Sequence, residues 1–118
     1  MTAVGADMHW LSLADAARMV RSRKVSPLEL TEAALKRMER HRELNAFITV
    51  LAEEALRTAR ELTAAPVRGP LHGIPIAVKD LYDTAEVRTT AGSAHFADRV
   101  PSADAEVVAR LKARSIGS

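Results

Sequence analysis

The chain has 118 residues, 47% of them apolar and 27% charged, which suits one small domain or one piece of a larger one and excludes a wholly disordered chain. Seventeen Lys and Arg against fifteen Asp and Glu leave a formal charge of +2, too near balance to mark a nucleic-acid binder by charge alone. The absence of cysteine removes disulfides and thiolate chemistry.

No apolar run approaches the ~18 residues that a membrane span needs. The opening MTAVGADMHW lacks a basic stretch followed by an apolar one, so it does not read as a secretion signal, and a cytoplasmic protein without membrane contact is expected. Aromatic residues are restricted to Trp10, Phe47, Tyr82 and Phe96, so any core must be aliphatic.

Ser12 with Asp15 has the spacing of a capping box, and Leu13, Ala16, Ala17 and Val20 then predict one apolar helical stripe. The cluster Arg18, Arg21, Arg23, Lys24 falls at the end of that helix, where positive charge complements the dipole and the side chains stay solvated. Ser26-Pro27-Leu28-Glu29 predicts a stronger start, with Ser at N-cap, Pro at the first helical position and Glu at N3. The helix should run to His41 or Arg42, with Leu28, Thr31, Leu35 and Met38 on one face.

Leu44–Val50 is β-branched and partly alternating, which predicts a short extended segment. Ala52–Ala64 predicts a third helix with Ala52, Ala55, Leu56, Ala59 and Leu62 inward, ended by Pro66 and Gly69-Pro70. Ile74–Leu81 is the best strand candidate, and its near-continuous apolar run predicts an interior strand covered on both faces. Val87–Thr90 predicts a shorter strand, Ala91-Gly92-Ser93 a turn, and Asp104–Ala113 a closing helix that buries Val107, Val108 and Leu111.

Lys79 stands inside the apolar run, flanked by Ile74, Ile76, Ala77, Val78 and Leu81. An ammonium is costly to bury unpaired and tends instead to lose its proton, which would make it a general base. The alternative is a lysine whose stem lies on apolar surface while its ammonium reaches water. Asp80 does not neutralise it from the same strand, because adjacent strand residues face opposite ways. A protein-kinase reading of Ile76-Ala77-Val78-Lys79 fails for want of a glycine-rich loop, and a phosphate-binding loop fails likewise. His9, His41, His72 and His95 share no metal-ligand spacing, so no metal site is expected. His72 reads as a loop residue, and Ser93 as a turn hydroxyl bonded to backbone.

Gly69-Pro70-Leu71-His72-Gly73-Ile74-Pro75-Ile76-Ala77-Val78-Lys79-Asp80, followed by Thr89-Thr90-Ala91-Gly92-Ser93, resembles the start of the amidase signature enzymes. Ser26–Thr31, Leu44–Phe47 and Asp104–Lys112 resemble the same family, in the same order. The resemblance implies an α/β fold: a helical N-terminal segment plus the first strands of a mixed sheet, truncated. It implies that residues 1–118 are the N-terminal fragment of a single amidase domain, with a helical region over 1–66 and the first core strands and a helix over 67–118.

The implied reaction is hydrolysis of a linear amide C–N bond by a Ser–cis-Ser–Lys triad, with a small-molecule amide as substrate and no cofactor. By motif match Lys79 is the catalytic lysine. Thr90, Gly92 and Ser93, in the loop that follows, are the substrate-binding candidates. The glycine- and serine-rich segment that supplies both serines does not occur in this sequence, so the chain alone is expected to be inactive. Two other readings stand beside it: a fragment of the A subunit of a glutamyl-tRNA amidotransferase, and a non-catalytic helical interaction module.

Overall fold

The computed structural model describes residues 8–116. Its helices are α1 (Leu13–Arg21), α2 (Pro27–Arg40), α3 (Ala52–Ala64) and α4 (Glu106–Ile116), with single 3-10 turns at Met8–Trp10, Arg42–Leu44 and Ala94–Phe96. Residues 8–75 with 114–116 form one compact unit, and Ile76–Ala113 form a second.

The first unit is built from local signals that hold. Ser12 Oγ accepts the Asp15 amide at 3.0 Å and starts α1. The Asp15 carboxylate turns to Arg18 instead of the N-cap amide, so only half of the expected box forms. At α2 the box is complete: the Glu29 amide donates to Ser26 Oγ at 3.0 Å, and the Ser26 amide donates to Glu29 Oε1 at 3.1 Å. Pro27 occupies the first turn, where its missing N–H costs nothing.

Ala16, Val20, Val25 and Leu30 form the buried core of this unit, with Met8, Leu11, Met19 and Ile74 packed against them. Leu13 lies on the exposed side of α1, contrary to its place in the expected stripe. Helix α3 packs on α2 and buries Ala59 and Leu62. The Leu28 amide donates to Thr63 Oγ1 at 3.1 Å, and that hydroxyl donates to the Ala59 carbonyl at 2.7 Å, so one side chain ties the start of α2 to the end of α3. Leu44–Val50, expected as a short extended segment, forms no ladder among the described residues. The chain leaves the Arg42–Leu44 turn through Asn45, at φ 52°.

The motif Gly69–Gly73 closes the first unit. A Cβ on Gly69 would stand 2.1 Å from the Arg114 carbonyl oxygen, which accepts the Leu71 amide at 3.1 Å. Gly73 has φ +70°, and a Cβ there would meet the Pro27 ring at 2.3 Å. Between them His72 is 2% exposed. The Arg68 amide donates to its Nδ1 at 3.3 Å, so Nδ1 carries no proton and Nε2–H donates to the Leu62 carbonyl at 2.8 Å. The residue expected to be a plain loop position fastens the end of α3 to this loop.

The expected sheet is not present among the described residues. The only pairing among them is one antiparallel bridge, Thr84 with Val87. Residues 74–79 run without helix or ladder, and among the described residues no backbone–backbone hydrogen bond involves Ile76, Ala77 or Val78. Val87–Thr90 is likewise not a strand. A strand is stable only beside another, and the second unit is turns and loops apart from α4. In α4, Val108 is buried as expected and Leu111 half-buried, while Val107 is exposed.

Candidate active site

The candidate site residues Lys79, Thr90, Gly92 and Ser93 all lie in the second unit. Lys79 is exposed, as are its neighbours Ile76 (45%), Val78 (42%) and Leu81 (49%). This corrects the expectation of a lysine desolvated by an interior strand: such burial needs flanking strands, and residues 76–79 lie in no ladder among the described residues. The lysine has no carboxylate partner among the described residues. Its carbonyl accepts the Tyr82 amide at 3.0 Å, which turns the chain just after the apolar run.

Asp80 is the best-connected residue nearby. Its carboxylate accepts the Thr90 amide at 3.1 Å through Oδ1 and the Thr90 hydroxyl through Oδ2, and its carbonyl accepts the Ala91 amide at 2.7 Å. The Thr90 hydroxyl, its amide, the Gly92 amide and Arg88 together hold the Asp80 carboxyl below the usual aspartate range, with the hydroxyl contributing most. The carboxylate is thus spent on the following loop and is not turned to Lys79. Sequence reading missed this role, although Asp at one end of a motif and a Thr-rich turn at the other are the residue types that such a bond requires.

Thr89 and Thr90 are 3% and 4% exposed. The Ser93 amide donates to the Thr90 carbonyl at 3.0 Å across Ala91 (φ 54°) and Gly92 (φ +67°), the dihedral signs of a tight I′-like turn. A Cβ on Gly92 would meet nothing within 4 Å, so the glycine is required here by its backbone and not by crowding. Ala91 in this region costs about 1–2 kcal/mol, which the surrounding bonds must offset. Of the three substrate-binding candidates, Thr90 is buried, Gly92 exposed and Ser93 half-buried. Ser93 Oγ accepts the His95 amide at 3.2 Å and caps the Ala94–Phe96 turn, the ordinary work of a turn hydroxyl.

Two further clamps hold the loops around this site. Arg99 meets Asp83 with both terminal nitrogens, at 2.7 and 2.8 Å, and this fork holds the Asp83 carboxyl below its ordinary value. Asp104 accepts the Ala85 amide at 2.7 Å and Lys112 Nζ at 2.9 Å, and it too is held low, first by the amide and then by the lysine. No group of three or more His, Asp or Glu that could hold a metal occurs among the described residues. No helix among them is long and apolar enough to cross a membrane.

The amidase family model matches residues 29–116, which takes in α2 from Glu29 onward, the Gly69–Asp80 motif, the Asp80–Thr90 clamp and α4. The chain belongs to the amidase family. Among its relatives, a Mycobacterium tuberculosis protein provisionally named amidase AmiD is 43% identical over 108 residues, 87% of this chain and 23% of the relative. The A subunit of the glutamyl-tRNA(Gln) amidotransferase of an Azoarcus species is 48% identical over 105 residues, 86% of this chain and 22% of the relative. A solved chain from a vestigial protein complex, described as revealing the origins of an s-triazine catabolic enzyme, superposes with a TM-score of 0.80 at 32% identity over 89% of this chain. Fatty acid amide hydrolase gives a TM-score of 0.81 at 23% identity, a likeness of fold. The amidase-family chain spans 22–23% of the length of these two curated relatives and 20–24% of these solved chains.

Proposed function

We propose that this chain is the N-terminal portion of an amide C–N hydrolase and that Lys79 is the base of its Ser–cis-Ser–Lys triad. The observation that supports the reading is the position of Lys79: inside the apolar run of the Gly69–Asp80 motif, within the family match, and followed at once by a backbone clamped to the Thr90–Ser93 turn. In this reading the exposed Ile76, Val78, Leu81 and Tyr82 are covered by the part of an amidase fold that this chain does not contain. That cover desolvates the lysine and favours its neutral form. The neutral amine then takes the proton of the bridging serine, which in turn takes that of the attacking serine, whose oxygen bonds to the amide carbonyl carbon. The proton returns by the same route to the amide nitrogen as the C–N bond breaks, and water then hydrolyses the acyl-serine. The substrate class is a small linear amide and the setting cytoplasmic.

The test is a chimera in which this chain replaces the aligned stretch of the mycobacterial relative. Ammonia release from a panel of small aliphatic and aryl amides is the readout. Hydrolysis by the chimera, its loss in Lys79→Ala, and none from the 118-residue chain alone are the expected results; hydrolysis that survives Lys79→Ala would end the assignment. A second reading, the A subunit of a tRNA amidotransferase, draws on the 48% identity to the Azoarcus protein. Co-purification of the completed protein with a tRNA-binding partner would favour it.

A further inference from the structure

We propose that Asp80 is a positioning residue for Lys79, locking the backbone next to the lysine onto the buried Thr89–Thr90 pair and the strained turn after it. The inference rests on the amidase reading and assigns a role to a side chain outside the Ser–Ser–Lys triad.

Three bonds converge on Asp80 from Thr90 and Ala91: amide to Oδ1, hydroxyl to Oδ2, and amide to the Asp80 carbonyl. The Gly92 amide then donates to the Thr90 hydroxyl at 3.1 Å, so this hydroxyl donates to the carboxylate and accepts from the turn. The geometry is asymmetric about Lys79. Before it, residues 76–78 have no backbone–backbone hydrogen bond among the described residues; after it, the chain is pinned within one residue. The direction in which the Lys79 side chain leaves the backbone is therefore set from the Asp80 side.

The anchor is suited to this task, because Thr89 and Thr90 are almost wholly buried. Thr89 is itself held, its amide donating to the Arg99 carbonyl at 3.0 Å. A carboxylate bonded to both the amide and the hydroxyl of one residue fixes orientation as well as distance, which a single bond does not. Ala91 at positive φ is an outlier that persists only where its surroundings over-determine it. Asp80 supplies that determination to the same turn that carries the substrate-binding candidates. The general base and the loop are thus held in one register by one side chain.

The experiment has two arms. In the full 118-residue chain, amide hydrogen exchange is compared between wild type and Asp80→Asn. Faster exchange at Thr90, Ala91 and Gly92, with α1 and α2 unchanged, is expected. Equal exchange at the three turn amides would overturn the clamp whatever the protein's activity. In the amidase chimera, Asp80→Asn should lower kcat by about 100-fold, the scale of a misplaced catalytic group, while KM moves by less than about threefold. Thr90→Val should lower kcat by about tenfold, the loss of one bond to a charged group, and Thr90→Ser should recover most of that loss. A chimera that hydrolyses amides equally well with Asp80→Asn refutes the positioning role and leaves the amidase reading intact. An unsubstituted chimera without activity refutes the amidase reading and the role with it, while the exchange arm still decides whether the clamp exists.

Discussion

The two units are held by different physics. In the first, three helices bury Ala16, Val20, Val25, Leu30, Ala59 and Leu62, and polar groups serve mainly as caps and ties. In the second, the buried residues are Thr89, Thr90, Pro101 and Val108, and its loops are fastened by Asp80, Asp83 and Asp104. A core of aliphatic contacts is largely indifferent to pH and salt; a set of carboxylate clamps is not. The candidate site lies wholly in the unit built the second way, which suits a site whose geometry must be fixed by direction and not only by packing.

The largest effect should come from breaking the first unit. Leu30→Ala removes a core side chain and should cost about 2–5 kcal/mol, read from urea unfolding followed by far-UV circular dichroism. His72→Ala leaves the Leu62 carbonyl and the Arg68 amide without their partner, and about 1–3 kcal/mol of destabilisation is expected. His72→Gln, which keeps a donor, should recover part of it in the same measurement.

Acid should separate the units. Asp80, Asp83 and Asp104 are held below the ordinary aspartate value of 3.8, so their contribution is fully present above that value. It is lost as pH falls through the lower native values, where protonation releases the clamps. Amide signals of residues 84–92 should therefore disappear before those of Ala16 and Val20 in an acid titration followed by NMR. Simultaneous loss would show that the two units unfold as one. The smallest effect belongs to the exposed pair of Arg110 with Glu106, 2.7 Å apart and more than three-quarters solvated on both sides. Arg110→Ala should change stability by less than about 0.5 kcal/mol, and a larger change would mean that α4 depends on its surface charges.

Much of the first unit is legible in the sequence because its signals are local. Ser26, Pro27 and Glu29 specify a helix start within four residues, and the spacing of Ala59 and Leu62 places them on the inner face of α3. The local rules fail where a competing partner intervenes: Asp15 bonds Arg18 instead of its N-cap, and the stripe that includes Leu13 extends past the core. Gly69 and Gly73 are visible as motif residues, but their reason is not, since it lies in the Arg114 carbonyl and the Pro27 ring, both distant in sequence. His72 escapes for the same cause: a lone histidine in a loop carries no mark of the carbonyl that it will meet.

Residue order was enough to place the helices, the turn at Ala91-Gly92-Ser93 and the family likeness, because each depends on residues within a few positions or on their succession. Whether Ile74–Leu81 becomes a strand, and whether Lys79 is buried, depend on neighbours at long range; among the described residues the segment joins no ladder and the lysine is exposed. The apolar pattern specifies a segment able to be covered; it does not supply the cover. The Asp80 clamp likewise depends on the folded chain, since ten residues separate its carboxylate from the Thr90 hydroxyl that it accepts.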